Sequence, residues 1–238
     1  MNSIEQVQLL AGIPIPMSDS SCLIYSKTLR DIALVGVNKY FRYLNLLTIT
    51  KKDIKNLFKQ DDVEPFDFIL FNSILNEEFK NEFIEALKYF IKEDVLFVSE
   101  MESFIIGKFE EERMLNKDNF GEFQIILKLQ NFLEEKNKSN GENDIAKKIK
   151  EKIAKGREKV AQIKGINNDN INLSDLIGSL AINTSLGIDR IWDITYYAFN
   201  DQFRRMRMLE QYETSLQSIM AGADPKKVKL EDWIKSIQ

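Results

Sequence analysis

Histidine is missing altogether from this 238-residue sequence, and cysteine occurs once, as Cys22. Without imidazole there are no Ser-His-Asp or Cys-His nucleophile pairs, no histidine general base and no histidine-ligated metal. A single thiol excludes an internal disulfide and every multi-cysteine zinc site. Phosphate-cradling loops and hydrolase elbows are missing too: no GxGxxG, GxxxxGK(S/T), HExxH or GxSxG occurs. The expectation is a protein that is not an enzyme and holds no cofactor or metal, with only carboxylate or lysine chemistry left open. No stretch reaches the ~18–20 uninterrupted apolar residues that span a bilayer. No basic region precedes the short apolar run near the N-terminus, so no secretory signal is expected, and a cytoplasmic location follows. A net charge of −4 with a pI near 5.2 disfavours a dedicated nucleic-acid binder. At this length the chain suits one large or two small domains and can bury around 70–75% of its unfolded surface without a covalent staple.

What the sequence has is helical periodicity, most clearly between Ile191 and Asp224. Tyr196, Phe199, Phe203, Met206, Leu209, Tyr212, Leu216 and Ile219 recur in steps of three and four, which puts them on one stripe of an α-helix. Thr195 offers an N-cap, and Gly222 followed by Pro225 marks the end. Asp201, Gln202, Arg205, Glu213 and Gln217 take the opposite face. Burying each large apolar side chain is worth about 1.5–3 kcal/mol, so this helix is a core element. Periodicity does not separate packing inside its own domain from recognition of a partner helix. On the second reading the partner-binding candidates are Trp192, Tyr196, Phe199 and Phe203, because aromatic residues dominate interface energetics. Arg204, Arg205 and Arg207 lie beside Asp201 and Glu210; pairing along the helix is favoured over a phosphate clamp.

Along the rest of the chain, the first 27 residues read as extended: Pro14 and Pro16 forbid a helix from Leu9 to Met17, and Ser18–Ser21 is a turn before a short strand at Cys22–Tyr25. Cys22 reads as a small buried hydrophobe. Thr28 and Asp31 form a capping box for a helix reaching Thr48, with Gly36 inside it as a close-packing position or a break. Helices follow at 51–59, 66–76 and 77–92, and adjacent Asp61 and Asp62 are read as loop residues rather than metal ligands. Val95–Val98 and Phe104–Ile106 are strand candidates, Phe109–Leu115 a third strand or a charged connection, and 117–133 a helix. Glu134–Asn143 holds no apolar side chain and reads as a linker. Lys147–Lys164 carries eight basic residues against two glutamates, a solvated helix or an electrostatic contact. Further helices are expected at Asp175–Thr184 and around Trp233 and Ile234. The fold class is therefore α+β and predominantly α-helical. It has a helical N-terminal region with a small antiparallel sheet (1–133), a polar linker (134–144) and a helical C-terminal region (145–238).

Several segments also carry a likeness: IWDITYYAFNDQFRR at Ile191–Arg205, EQYE at Glu210–Glu213 and SIMAGADPKKVKLEDW at Ser218–Trp233. With Leu23–Leu44, Asp67–Asn72 and Lys128–Leu133, they resemble a family of small proteins encoded by tailed phages and prophages of low-GC Gram-positive bacteria. The family is similar in organisation to proteins made between the major tail protein and the tape measure, many of which act as tail assembly chaperones. The resemblance implies a chaperone-like protein that binds a tail component, such as the tape-measure protein, in the cytoplasm of the bacterial host. A structural virion protein of the tail or neck is one alternative, and a nucleic-acid-binding phage accessory factor another. No catalytic or ligand-binding residue comes with the resemblance.

Overall fold

In the computed structural model, which describes residues 4–18, 22–58, 63–108, 113–133 and 172–225 with Val228, Leu230 and Ile234, helices dominate and two small antiparallel sheets are set among them. The linker 134–144, the basic segment 147–164, the Asp61–Asp62 pair and Trp233 lie outside the described residues. Ile234, expected in a terminal helix, is 68% exposed in a turn.

The N-terminus departs from the extended reading. α1 (Gln6–Ala11) is helical, and it ends at Gly12 in the left-handed region (φ 67°), two residues before Pro14. The prolines therefore act after the helix rather than against it. The extended part begins afterwards: β1 (Ile15–Pro16) pairs antiparallel with β2 (Leu23–Ile24), inside the strand expected at Cys22–Tyr25. Thr28 caps α2 (Leu29–Val35), accepting from the Asp31 N–H at 3.1 Å while the Asp31 carboxylate accepts from the Thr28 N–H at 3.0 Å. Gly36 is a break, with φ 91° and no atom within 4 Å of an added Cβ, so its role is backbone freedom rather than close packing.

α3 (Val37–Leu47) lies against α6 (Glu77–Ile91), joined by Tyr43, which donates to the Glu85 carboxylate at 2.8 Å. α4 (Lys51–Phe58) and α5 (Pro65–Leu75) come between them in the chain, and Pro65 at the first turn of α5 pre-sets its φ. Asn76 ends α5 and caps α6, accepting from the N–H groups of Glu78 and Phe79 at 3.0 and 3.1 Å. β3 (Val95–Val98), β4 (Ser103–Ile106) and β5 (Met114–Leu115) form the second sheet in that order, with Val95 opposite Ile106. All four β4 residues are buried. α7 (Phe120–Gln130) follows, then α8 (Leu173–Asn183), α9 (Gly187–Arg190), a 3-10 turn (Ile191–Asp193) and α10 (Tyr196–Met220).

A single core cluster runs through both ends of the chain. Ile24, Tyr40, Phe83, Phe90, Phe104 and Phe123 share it with Ile177, Leu180, Ile191 and Phe199. Two buried glutamines fasten α7 to the N-terminal part. Gln124 Nε2 donates to the Leu47 and Ile49 carbonyls at 3.1 and 3.0 Å, and Gln130 Nε2 donates to the Ile24 carbonyl at 2.9 Å. Backbone acceptors thus meet both buried Nε2 groups, while Gln130 Oε1 has no hydrogen-bond partner among the described residues.

Gly12 also touches the far end of the chain, because a Cβ there would meet Thr195 Cγ2 at 2.7 Å. Gly12→Ala should therefore lose about 1–3 kcal/mol from αL strain, with the Thr195 clash added, as a lower urea midpoint at unchanged slope.

Candidate functional site

The long C-terminal helix begins with a backbone splice. The Tyr196 N–H donates to the Lys27 carbonyl at 2.8 Å, and the Leu29 N–H to the Ile194 carbonyl at 3.0 Å. Thr28 and Thr195 form an antiparallel bridge, and Arg30 binds Asp193 at 2.9 Å. Thr195 then caps α10, accepting from the Ala198 N–H at 3.1 Å. This seam fixes which part of α10 can face outward.

The four aromatic residues expected to meet a partner lie along the inner part of this helix and the turn before it. Phe199 is 2% exposed and belongs to the core. Trp192, Tyr196 and Phe203 are half-buried and pack against that core. Tyr196 sits edge-on to Tyr40 at 5.8 Å and to Phe41 at 6.0 Å, and the Tyr196, Phe199 and Phe203 rings stack in sequence at 6.3 and 6.0 Å. The stripe therefore packs within its own domain as far as Met206. Beyond it, Leu209, Tyr212 and Ile219 are half-buried and Leu216 and Met220 exposed, and none of the five is among the apolar side chains packed on the core. Of the expected charge pairs, Arg205 binds buried Asp201 at 2.8 Å, and Arg204 lies 4.2 Å over the Phe132 ring.

Among the described residues, an outward-facing apolar stripe lies on α5. Phe71, Ile74 and Leu75 are 58, 61 and 68% exposed, at the i, i+3, i+4 spacing that makes one stripe. The opposite side of the helix buries Phe66, Ile69 and Ser73, and Phe68, at the edge of the stripe, is buried edge-on to Phe79. PFDFILFNSIL is thus apolar nearly all round, which its sequence shows, but only the packing tells which side is left outside.

An acidic cleft lies between α6 and α3, and Glu77 on its rim follows Leu75 by two positions in the chain. Glu77, Glu78, Asn81, Glu82 and Glu85 of α6 and Lys39 and Arg42 of α3 line an open cleft of about 540 Å³. Lys39 pairs with Glu85 at 3.2 Å, Arg42 with Glu82, and Lys80 reaches Glu77 at 2.6 Å. Four glutamates still outnumber the cations there, so the mouth is acidic.

Two buried ionisable groups escaped the sequence reading or were only half seen by it. Lys27 is 3% exposed, with its ammonium 4.5 Å from the Tyr89 ring centre and 5.8 Å from that of Phe90. Burial, with nearby Lys92 adding, lowers its pKa to about 8, and Asp31 pulls weakly the other way. Nothing in the local sequence marks Lys27, since its burial comes from α6. Burial likewise pushes the Cys22 thiol up to about 12, which leaves it a poor nucleophile. Among the described residues no group of three or more Cys, Asp or Glu is arranged to hold a metal ion, and no helix is long and apolar enough to cross a membrane.

Residues 165–238 match a family model described as the YomV second domain, a phage-derived family; the match takes in α8, α9 and α10 and just under a third of the chain. No curated protein and no solved structure matches the chain.

Proposed function

We propose that this protein is a non-catalytic, protein-binding factor of phage morphogenesis, acting as a chaperone for a helical tail component such as the tape-measure protein. The observation that carries this reading is the α5 stripe: three large apolar side chains, each more than half exposed, on a helix otherwise committed to the core. Soluble monomers rarely keep contiguous apolar surface of a few hundred Å² without using it. An amphipathic partner helix covers such a stripe through i, i+3, i+4 anchors. The phage-derived match at residues 165–238 supports the setting. The resemblance to proteins made beside the tape measure supports the choice of partner.

Co-expression with the tape-measure protein of the same phage is the test. The two should co-purify, and Phe71→Ser with Leu75→Ser should reduce capture at least tenfold while the far-ultraviolet circular dichroism stays unchanged. Failure of the wild-type pair to co-purify overturns the reading. A chaperone should also be absent from purified virions, and finding it there assigns it to the particle's structure instead.

A further inference from the structure

We propose that the α5 stripe and the acidic α3–α6 cleft form one continuous docking surface, and that its partner is a basic amphipathic helix with aliphatic anchors on one face and Lys or Arg along its flank. The proposal rests on the protein-binding reading above and adds to it the chemistry of what is bound.

Continuity is the first argument. Leu75, the last residue of the stripe, and Glu77, the first glutamate of the cleft, are separated only by Asn76. At ~3.3–3.6 Å per residue the chain cannot carry the two more than about 7 Å apart. Glu78, Glu82 and Glu85 then continue along α6 at i, i+4 and i+3 steps, so the acidic rim extends for about two helical turns. A partner helix whose anchors cover Phe71, Ile74 and Leu75 has one end at the α5–α6 turn, beside the backbone of Glu77 and Glu78.

Charge decides the class of partner. Lys39, Arg42 and Lys80 already pair within the surface, with Glu85, Glu82 and Glu77. Four glutamates against these three cations leave the rim negative, with Glu78 exposed at the junction. An acidic helix would meet like charge there, whereas Lys or Arg would meet complementary charge. Rim charges mainly set orientation and specificity, while the apolar anchors supply most of the affinity.

The probe is a synthetic helix of about four turns, with leucines at i, i+3, i+4 and i+7 and flanking lysines. Two controls accompany it, one with glutamate for every lysine and one scrambled. Titrated by fluorescence anisotropy against the full chain, the basic helix should bind at least tenfold more tightly than either control and weaken as salt is raised. Phe71→Ser with Leu75→Ser should lose at least tenfold in affinity, and Glu78→Lys should lose several-fold together with part of the salt dependence. Equal binding of the basic and acidic helices overturns the proposal, as does full affinity in the Phe71/Leu75 variant. A wild-type mass in solution that doubles with concentration, and no longer does so in that variant, assigns the stripe to a second copy and overturns it as well. The two readings fail separately. A tape-measure protein that co-purifies while basic and acidic helices bind alike removes only the charge preference. A basic helix that binds as expected while the tape-measure protein never co-purifies removes only the identity of the partner.

Discussion

Replacing Lys27 by methionine should raise the unfolding free energy at pH 7 by about 1–2 kcal/mol, and that gain should fade as the pH climbs from 8 to 10.5. The expectation follows from where the ammonium sits. Lys27 is 3% exposed, and burial brings its pKa from 10.5 to about 8. Each tenfold loss of proton affinity corresponds to about 1.4 kcal/mol, so the charged form is disfavoured in the folded state by about 3 kcal/mol. Cation–π attraction to Tyr89 and Phe90 offsets part of this, on the order of 0.5–2 kcal/mol. Because the folded pKa lies below the unfolded one, the unfolded chain binds more protons between pH 8 and 10.5, and stability rises with pH across that window. The methionine variant fills similar volume with no charge to desolvate and should show no such rise.

Cys22 acts with the opposite sign. Its thiol, raised from 9.0 to about 12, stays protonated in the folded protein while the unfolded chain ionises, so stability is lost as pH rises above 9. The raised phenols of Tyr40, Tyr89 and Tyr196 add to that loss above pH 10. Wild-type stability should therefore climb from pH 8 to about 9, level off and then fall. Urea unfolding of both proteins at several pH values between 7 and 10.5 tests this, and a constant difference between them would show that Lys27 is not buried as a cation.

Tyr40→Ala should be a severe truncation, at about 3–5 kcal/mol. The ring is fully buried and contacts Phe41, Tyr89, Phe90 and Tyr196 at 5.3, 6.3, 6.1 and 5.8 Å. It thus ties α3 to α6 and both to the start of α10. Its hydroxyl donates to the buried Asn131 Oδ1, whose Nδ2 donates to the Leu127 carbonyl at 2.7 Å. Tyr40→Phe keeps the ring and leaves Asn131 Oδ1 without its donor, which should cost about 1–3 kcal/mol. Against a typical domain stability of about 5–15 kcal/mol, the alanine variant is near the threshold of folding and the phenylalanine variant well above it. Denaturant midpoints of the two separate the packing contribution from the hydrogen bond. Equal losses would show that the hydroxyl, rather than the ring, holds the junction.

Much of the architecture was legible from residues close together in the chain. Thr28 with Asp31, Thr195 ahead of its stripe and the Val95–Val98 strand appear as their local chemistry predicts, because caps and periodicity act within a turn or two. The same locality explains the miss at α1: Pro14 and Pro16 restrict only their own neighbourhood, and Gly12 closes the helix before they act. Gly36 had two readings, and its open surroundings select the break.

By itself the sequence determined a predominantly helical α+β protein, without histidine chemistry or a disulfide, with one long amphipathic helix near its C-terminus. Tertiary structure alone decided which greasy surface stays outside. The first half of α10 and the outer side of α5 are both rich in apolar residues, yet α10 starts at the Lys27–Leu29 seam and turns Phe199 inward, while no described element covers Phe71, Ile74 and Leu75. Exposure depends on contacts between residues far apart in the chain, and so does the burial of Lys27 beneath Tyr89 and Phe90. Periodicity ranks the faces of a single helix, and only the packing of every other helix says which of those faces meets water.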